Sequence, residues 1–162
     1  MAIMPLTFDI SNRSQADALE KLSWDEKREI TTITLRHRGN QRLELISLTI
    51  QNFPSLISLN MPNGLKIQSL LIRQCHNLKE IQIPQRAYIK TLKVDDVPKF
   101  QNIQLEEGSM VNTLSLKNIK SGLSFTFMYR AKINTIVHHY MQDGQDKVHM
   151  EQNITQSGTF DF

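Results

Sequence analysis

Residues Leu45–Ile72 read LISLTIQNFPSLISLNMPNGLKIQSLLI, and within them the spacing apolar-x-x-apolar-x-apolar restarts every 11 residues. All 21 positions of this spacing up to Leu116 are apolar, whereas the 40% apolar composition of the chain would give about eight by chance. The count predicts stacked strands whose apolar side chains form one continuous core. The seven units are Leu45/Leu48/Ile50, Leu56/Leu59/Met61, Ile67/Leu70/Ile72, Leu78/Ile81/Ile83, Ile89/Leu92/Val94, Phe100/Ile103/Leu105 and Val111/Leu114/Leu116.

Neighbouring units differ in the residues around them, so the full period is 22 residues. Pro62 and Pro84 end two alternate units, and proline stops a strand because its nitrogen carries no hydrogen to donate. Each 22-residue repeat therefore predicts two strands joined by two corners. The other units carry a hydroxyl side chain at their third position, namely Ser47, Ser69, Thr91, Thr113 and Thr135.

The stretch LLIRQCHNLKEIQIP, Leu70–Pro84, resembles the leucine-rich repeat, with Cys75 where that family places Asn or Cys. The resemblance covers about residues 30–149. Phe53, Val97 and Ile119 occupy the place of Cys75 in other repeats, so an asparagine ladder is missing and apolar packing has to fill these corners. We therefore predict a mostly β repeat solenoid, either leucine-rich-repeat-like or a two-sheeted parallel β-helix, with a short N-terminal helical cap.

The ends of the chain differ from the repeats and are predicted to act as caps. We expect one structural domain with an N-terminal cap over 1–29, a solenoid of about six coils over 30–149 and a C-terminal cap or tail over 150–162. Ile30/Ile33/Leu35 forms one more unit, but it lies only 15 residues before Leu45. One or two short helices are expected over Ser14–Glu29, where Ser23 and Glu26 match a capping box.

Composition narrows the class of protein. One cysteine among 162 residues excludes an internal disulfide framework and fits a reducing compartment. The start MAIMPLTFD lacks a basic lead and a long apolar stretch, so we expect a cytoplasmic protein, or one exported by a route without a cleavable signal peptide. The uncharged window 45–65 contains two prolines and several amides, so no membrane span is expected.

Side chains between the core positions should face solvent, because side chains alternate across a strand. The outward columns of the first predicted sheet collect charged and apolar side chains on neighbouring repeats. Such a face suits a docking surface, although hydroxyl and charged residues also simply keep an exposed sheet soluble. We predict that the partner-binding residues are Arg36, Leu71, Arg73, Lys93, Asp95, Lys117 and His139.

These features predict a non-catalytic protein–protein interaction module of the effector, inhibitor or immunity, or adaptor type, without cofactor. One alternative is a β-helix enzyme acting on a polysaccharide, but clustered outward carboxylates are expected there, and the first sheet offers only Asp95 and Asp96. Another alternative is nucleic-acid binding, suggested by a pI of about 9.1. The net charge is only +3, with basic and acidic residues interspersed, so we do not expect nucleic acid as a ligand.

Two further groups of residues could carry chemistry. His138, His139 and His149 lie near several acids, but His138 and His139 should point to opposite faces of a strand, so no metal site is expected. Cys75 could be a nucleophile, as in the leucine-rich bacterial ubiquitin ligases that the chain distantly resembles. Those enzymes carry a separate helical catalytic domain that we do not expect here, so we predict that Cys75 is a buried corner filler.

Overall fold

The structure is a computed structural model that describes residues 6–120 and 122–160, and this part of the chain is mostly β. Its elements, in chain order, are β1 (Leu6–Ile10), α1 (Arg13–Glu20), α2 (Trp24–Glu29), β2 (Ile30–Leu35), β3 (Glu44–Gln51), β4 (Ser58–Asn60), β5 (Lys66–Arg73), β6 (Glu80–Ile83), β7 (Tyr88–Asp95), β8 (Asn102–Leu105), β9 (Met110–Lys117), β10 (Leu123–Phe127), β11 (Lys132–Gln142), β12 (Gln145–Ile154) and β13 (Gly158–Phe160).

The strands form three sheets. The largest has six strands in the order β12-β11-β9-β7-β5-β3, a second has the order β13-β10-β8-β6, and a third has the order β1-β2-β4. From β3 to β11 the neighbours in the large sheet run parallel, and each residue pairs with the residue 22 positions later, as Leu48 does with Leu70 and Leu70 with Leu92. The spacing seen in the sequence is therefore the register of this sheet.

The repeated apolar positions form the core. Of the 21 positions, 20 are buried, and Met61 is partly buried against the same cluster. The predicted corner fillers are also inside, since Phe53, Cys75 and Val97 are fully buried and Ile119 is partly buried. Burial of one such aliphatic side chain contributes about 1.5–3 kcal/mol, so the regular spacing is the main source of stability.

The strands of the large sheet end at residues with positive φ. At Asn52, Gln74 and Asp96 the backbone N–H donates to a carbonyl of the next strand, as Asn52 N does to Arg73 O over 3.1 Å. Asn and Asp tolerate this left-handed conformation better than most residues do. The four corner residues, with φ of 63°, 53°, 55° and 52°, are Asn52, Gln74, Asp96 and Asn118.

Two short helices lie between β1 and β2. The capping box predicted at Ser23 and Glu26 is confirmed at the start of α2, where each side chain accepts from the backbone N–H of the other. Helix α1 buries Ala16 and Leu19 and packs against β1 and β3. Helix α1 therefore packs against the edge strand of the large sheet, β3. None of the helices in the described ranges is long and apolar enough to cross a membrane.

The predicted repeat solenoid, leucine-rich-repeat-like or two-sheeted parallel β-helix, is wrong. The strands form three open sheets in place of one regular stack, and two pairs of strands are antiparallel. At the N-terminal end the fold departs from the predicted solenoid because the unit at Ile30 lies only 15 residues before Leu45. This distance is too short for a full 22-residue repeat. Strand β2 therefore pairs with β1 and β4 and does not join β3.

At the C-terminal end the fold departs from the predicted solenoid because of a tight turn. Asp143 and Gly144 have φ of 52° and 75°, and they connect Gln142 to its pairing partner Gln145. Two positive φ values in a two-residue loop are the mark of a type I′ hairpin. The chain therefore reverses direction, and β12 runs antiparallel to β11. Strand β12 crosses residue 149, where we predicted the boundary between the solenoid and the C-terminal cap. Residues 1–5 and 161–162 of the predicted caps lie outside the described residues.

Candidate partner-binding face

Six of the seven predicted binding residues lie on the solvent side of the large sheet. Leu71 pairs with Lys93, and in the next column Arg73, Asp95, Lys117 and His139 follow one another across four strands. Because neighbouring strands lie about 4.8 Å apart, these side chains form one continuous surface. We call this surface the outward face, and its residues are Leu71, Arg73, Lys93, Asp95, Lys117 and His139.

Arg36 does not belong to the outward face, so its predicted position on the same sheet as the other six residues is wrong. It follows β2 in the three-stranded sheet, where its Nε lies 3.4 Å from Oδ1 of Asp9. The reason is the half-length first repeat, which directs β2 to β4 and away from β3.

An ion pair orders the centre of the outward face. Arg73 Nε lies 3.4 Å from Asp95 Oδ2, and the Asn118 side-chain amide donates to Asp95 Oδ1 over 3.2 Å. Such a surface pair contributes about 0–1 kcal/mol to stability, so its main effect is to hold two side chains in place. With Asp95 neutralised by Arg73, the exposed side chains of Lys93 and Lys117 leave the face positively charged.

An apolar surface that was not predicted from the sequence lies at the far edge of the same sheet. Met141, Val148 and Met150 are 62%, 54% and 56% exposed, and we call them the hairpin patch. Pairing of His139 with Val148 places the patch on the same side as the outward face. The Asp143–Gly144 dipeptide between two strand-like segments is the sequence signal that could have identified this hairpin.

The histidines divide between the two sides of β11, as predicted. His138 is buried and pairs with Leu116, whereas its neighbour His139 pairs with Lys117 on the outward face. Burial lowers the pKa of His138, with smaller contributions from His149 and His139. The ring of His138 stacks on Tyr140 at 5.3 Å between centroids, and His149 lies 3.1 Å from Glu151. Within residues 6–120 and 122–160 no group of three or more His, Cys, Asp or Glu is arranged to hold a metal ion.

Cys75 lies in the interior, and its predicted burial is confirmed. Its Sγ lies 3.5 Å from the Arg73 carbonyl oxygen, and the side chain has no solvent exposure. Burial raises the pKa of the Cys75 thiol to about 11. The thiol is therefore protonated at neutral pH, and the thiolate is the form that acts as a nucleophile.

Native Cys75 should react with a thiol reagent only as fast as the protein opens. At pH 8 its labelling should therefore be much slower than that of a Lys93→Cys variant, whose added thiol lies on the exposed face. Cys75→Ala should lower the free energy of unfolding by about 1 kcal/mol, since a small buried group is removed. Stopped-flow labelling with and without denaturant measures the rates. Labelling of native Cys75 at the rate of the Lys93→Cys thiol would contradict its burial.

Comparisons of the chain with protein-family models, with curated proteins and with solved structures give no match. The resemblance to the leucine-rich repeat stays a prediction.

Proposed function

We propose that this chain is a non-catalytic protein-binding module of the effector, inhibitor or immunity, or adaptor type, and that its protein partner docks on the outward face. The observation that carries the proposal is the register of β5, β7 and β9. This register brings an apolar side chain, an ordered ion pair and two free lysines onto one rigid sheet surface.

The composition of the outward face supports a protein partner. Arginine beside an apolar side chain is typical of the centre of a protein interface, and here Arg73 lies two positions from Leu71 on the same side of β5. The Asp95 contact holds the Arg73 side chain before a partner arrives, which lowers the entropy lost on binding. Lys93 and Lys117 favour a partner whose contact surface carries acidic residues.

A photo-crosslinking amino acid at position 93 tests the proposal directly. In the native host, this variant should give a discrete crosslinked protein, which mass spectrometry identifies and which is then purified for binding measurements. The same amino acid at Lys79, an exposed residue just before β6, is the matched control and should give none.

Charge changes on the face should then weaken binding to the purified partner. Lys93→Glu combined with Arg73→Gln removes two positive charges and adds one negative charge, while a glutamine can still donate to Asp95. We expect the Kd to rise by about 100-fold, the equivalent of losing one interface hot spot, with an unchanged melting temperature. Isothermal titration calorimetry measures the Kd.

The matched control is Lys79→Glu with Lys99→Gln, which makes the same change in net charge at two exposed residues outside the outward face. Its Kd should stay within about two-fold of the wild-type value, since distant surface charges are screened by salt. Equal weakening by both double variants would mean that net charge, and not the outward face, drives the association.

A further inference from the structure

Strand β12 forms an edge of the large sheet and is ten residues long. Among the residues that the structure describes, no strand pairs with its outer side, and nearly all of its side chains are exposed. The opposite edge is protected, because α1 packs on β3 and Lys27 Nζ donates to the Gln51 carbonyl over 3.0 Å. A long open edge with exposed apolar side chains is a template for pairing with another strand.

The type I′ turn determines which backbone groups of β12 are free. Gln142 and Gln145 close the turn as a hydrogen-bonded pair, and hydrogen-bonded pairs alternate with non-bonded pairs along an antiparallel ladder. Lys147, His149 and Glu151 therefore direct their N–H and C=O groups to β11. The residues between them, Val148 and Met150, direct theirs to the open edge.

The sequence of β12 is self-complementary about His149. Val148 and Met150 are equally distant from it, as are Lys147 and Glu151. We propose that β12 pairs antiparallel with β12 of a second copy of this chain, with a two-fold axis at His149. Lys147 then lies opposite Glu151 of the second copy, twice per dimer, and Val148 lies opposite Met150.

This register agrees with the free backbone groups. Val148 and Met150 supply the hydrogen-bonded pairs, and Lys147 and Glu151 form non-bonded pairs, in which side chains are closest. An axis at Val148 would place Lys147 opposite a histidine. An axis at Met150 would place Lys147 opposite Asn153, whose φ of 58° interrupts the strand.

The dimer would join the two large sheets edge to edge. Directly opposed residues share a face of a sheet, so both outward faces lie on the same side, and the exposed apolar side chains of Val148 and Met150 cover each other. This arrangement is independent of the proposed partner, and it would present two copies of the outward face on one surface.

Sedimentation at pH 8, where histidine side chains are ordinarily neutral, tests the dimer. The full chain should have twice its mass of 18.8 kDa. Lys147→Glu alone should raise the dissociation constant about ten-fold or more, because two like-charge contacts replace two opposite-charge contacts. Adding Glu151→Lys to Lys147→Glu should restore dimerisation. Lys132→Glu, the same change at an exposed residue of β11 away from the edge, should have no effect.

Variants with a single cysteine introduced in β12 test the position of the two-fold axis. A non-bonded antiparallel pair has a Cα separation of about 4.5 Å, within the range of a disulfide. Under mild oxidation His149→Cys should form a covalent dimer, whereas Val148→Cys and Met150→Cys should not, because neither residue opposes itself. The unmodified chain, whose Cys75 is buried, is the control. A monomer at about 100 μM, failure of the charge exchange to restore dimers, or crosslinking through Val148→Cys or Met150→Cys would each overturn the proposal.

Discussion

Replacing Leu92 with aspartate should unfold the protein at 25 °C. Leu92 has no solvent exposure and lies at the middle of β7, paired with Leu70 on one side and Leu114 on the other. The variant loses about 1.5–3 kcal/mol of apolar burial and gains a buried charge without a partner, which costs several kcal/mol more. The total is comparable to the typical stability of a domain, about 5–15 kcal/mol. Far-UV circular dichroism and urea titration measure the loss of the folded state.

The control is Lys93→Asp, which introduces the same residue one position further along β7. Lys93 is exposed, so the change in the free energy of unfolding should stay within about 1 kcal/mol, the span of strand propensities. Equal loss of stability in both variants would contradict the assignment of inward and outward positions on this strand.

Replacing Phe53 with alanine should lower the free energy of unfolding by about 3–5 kcal/mol, the usual cost of removing a buried phenylalanine ring. Phe53 is fully buried at the corner after β3, and Lys27 Nζ lies 5.2 Å from the centre of its ring. The loss of the ring therefore leaves a cavity between this corner and helix α2. For a chain of this size the melting temperature should fall on the order of 10 °C, which scanning calorimetry measures.

Phe53→Leu is the matched control, because it keeps most of the apolar volume. It should lose less than half as much stability as Phe53→Ala. A loss of only about 1 kcal/mol in Phe53→Ala, the value expected for Cys75→Ala, would show that packing of the ring does not stabilise this corner.

The positions of the core could be predicted because successive side chains of a strand alternate between its buried and its exposed side, and this rule depends only on local sequence. The apolar-x-x-apolar-x-apolar spacing identified 21 positions, and all but Met61 are buried. The same local rule placed five residues of strands β5, β7 and β9 on one face, together with His139 of β11. The left-handed corners could not be predicted in this way, since Asn52, Gln74, Asp96 and Asn118 share no single residue type and glycine is absent from all four.

The predictions that proved wrong concern which strands pair with each other. The unit Ile30/Ile33/Leu35 has the same spacing as the others, so its residues alone could join either sheet. The structure pairs it with β4, and Arg36 consequently lies away from the outward face. The hairpin of β11 and β12 was missed because its exposed residues break the apolar spacing, although the Asp143–Gly144 turn was present in the sequence.

The sequence by itself determined which side chains are inside, because alternation along a strand and the 22-residue register are repeated in every unit. Only the tertiary structure decided that the strands form three open sheets and that the large sheet ends in an antiparallel edge. Strand pairing depends on the length of each connection and on which edges remain free, and these are properties of distant segments considered together. The outward face follows from alternation along the strands, which the sequence shows. The free edge of β12 follows from the pairing of distant strands, which only the tertiary structure shows.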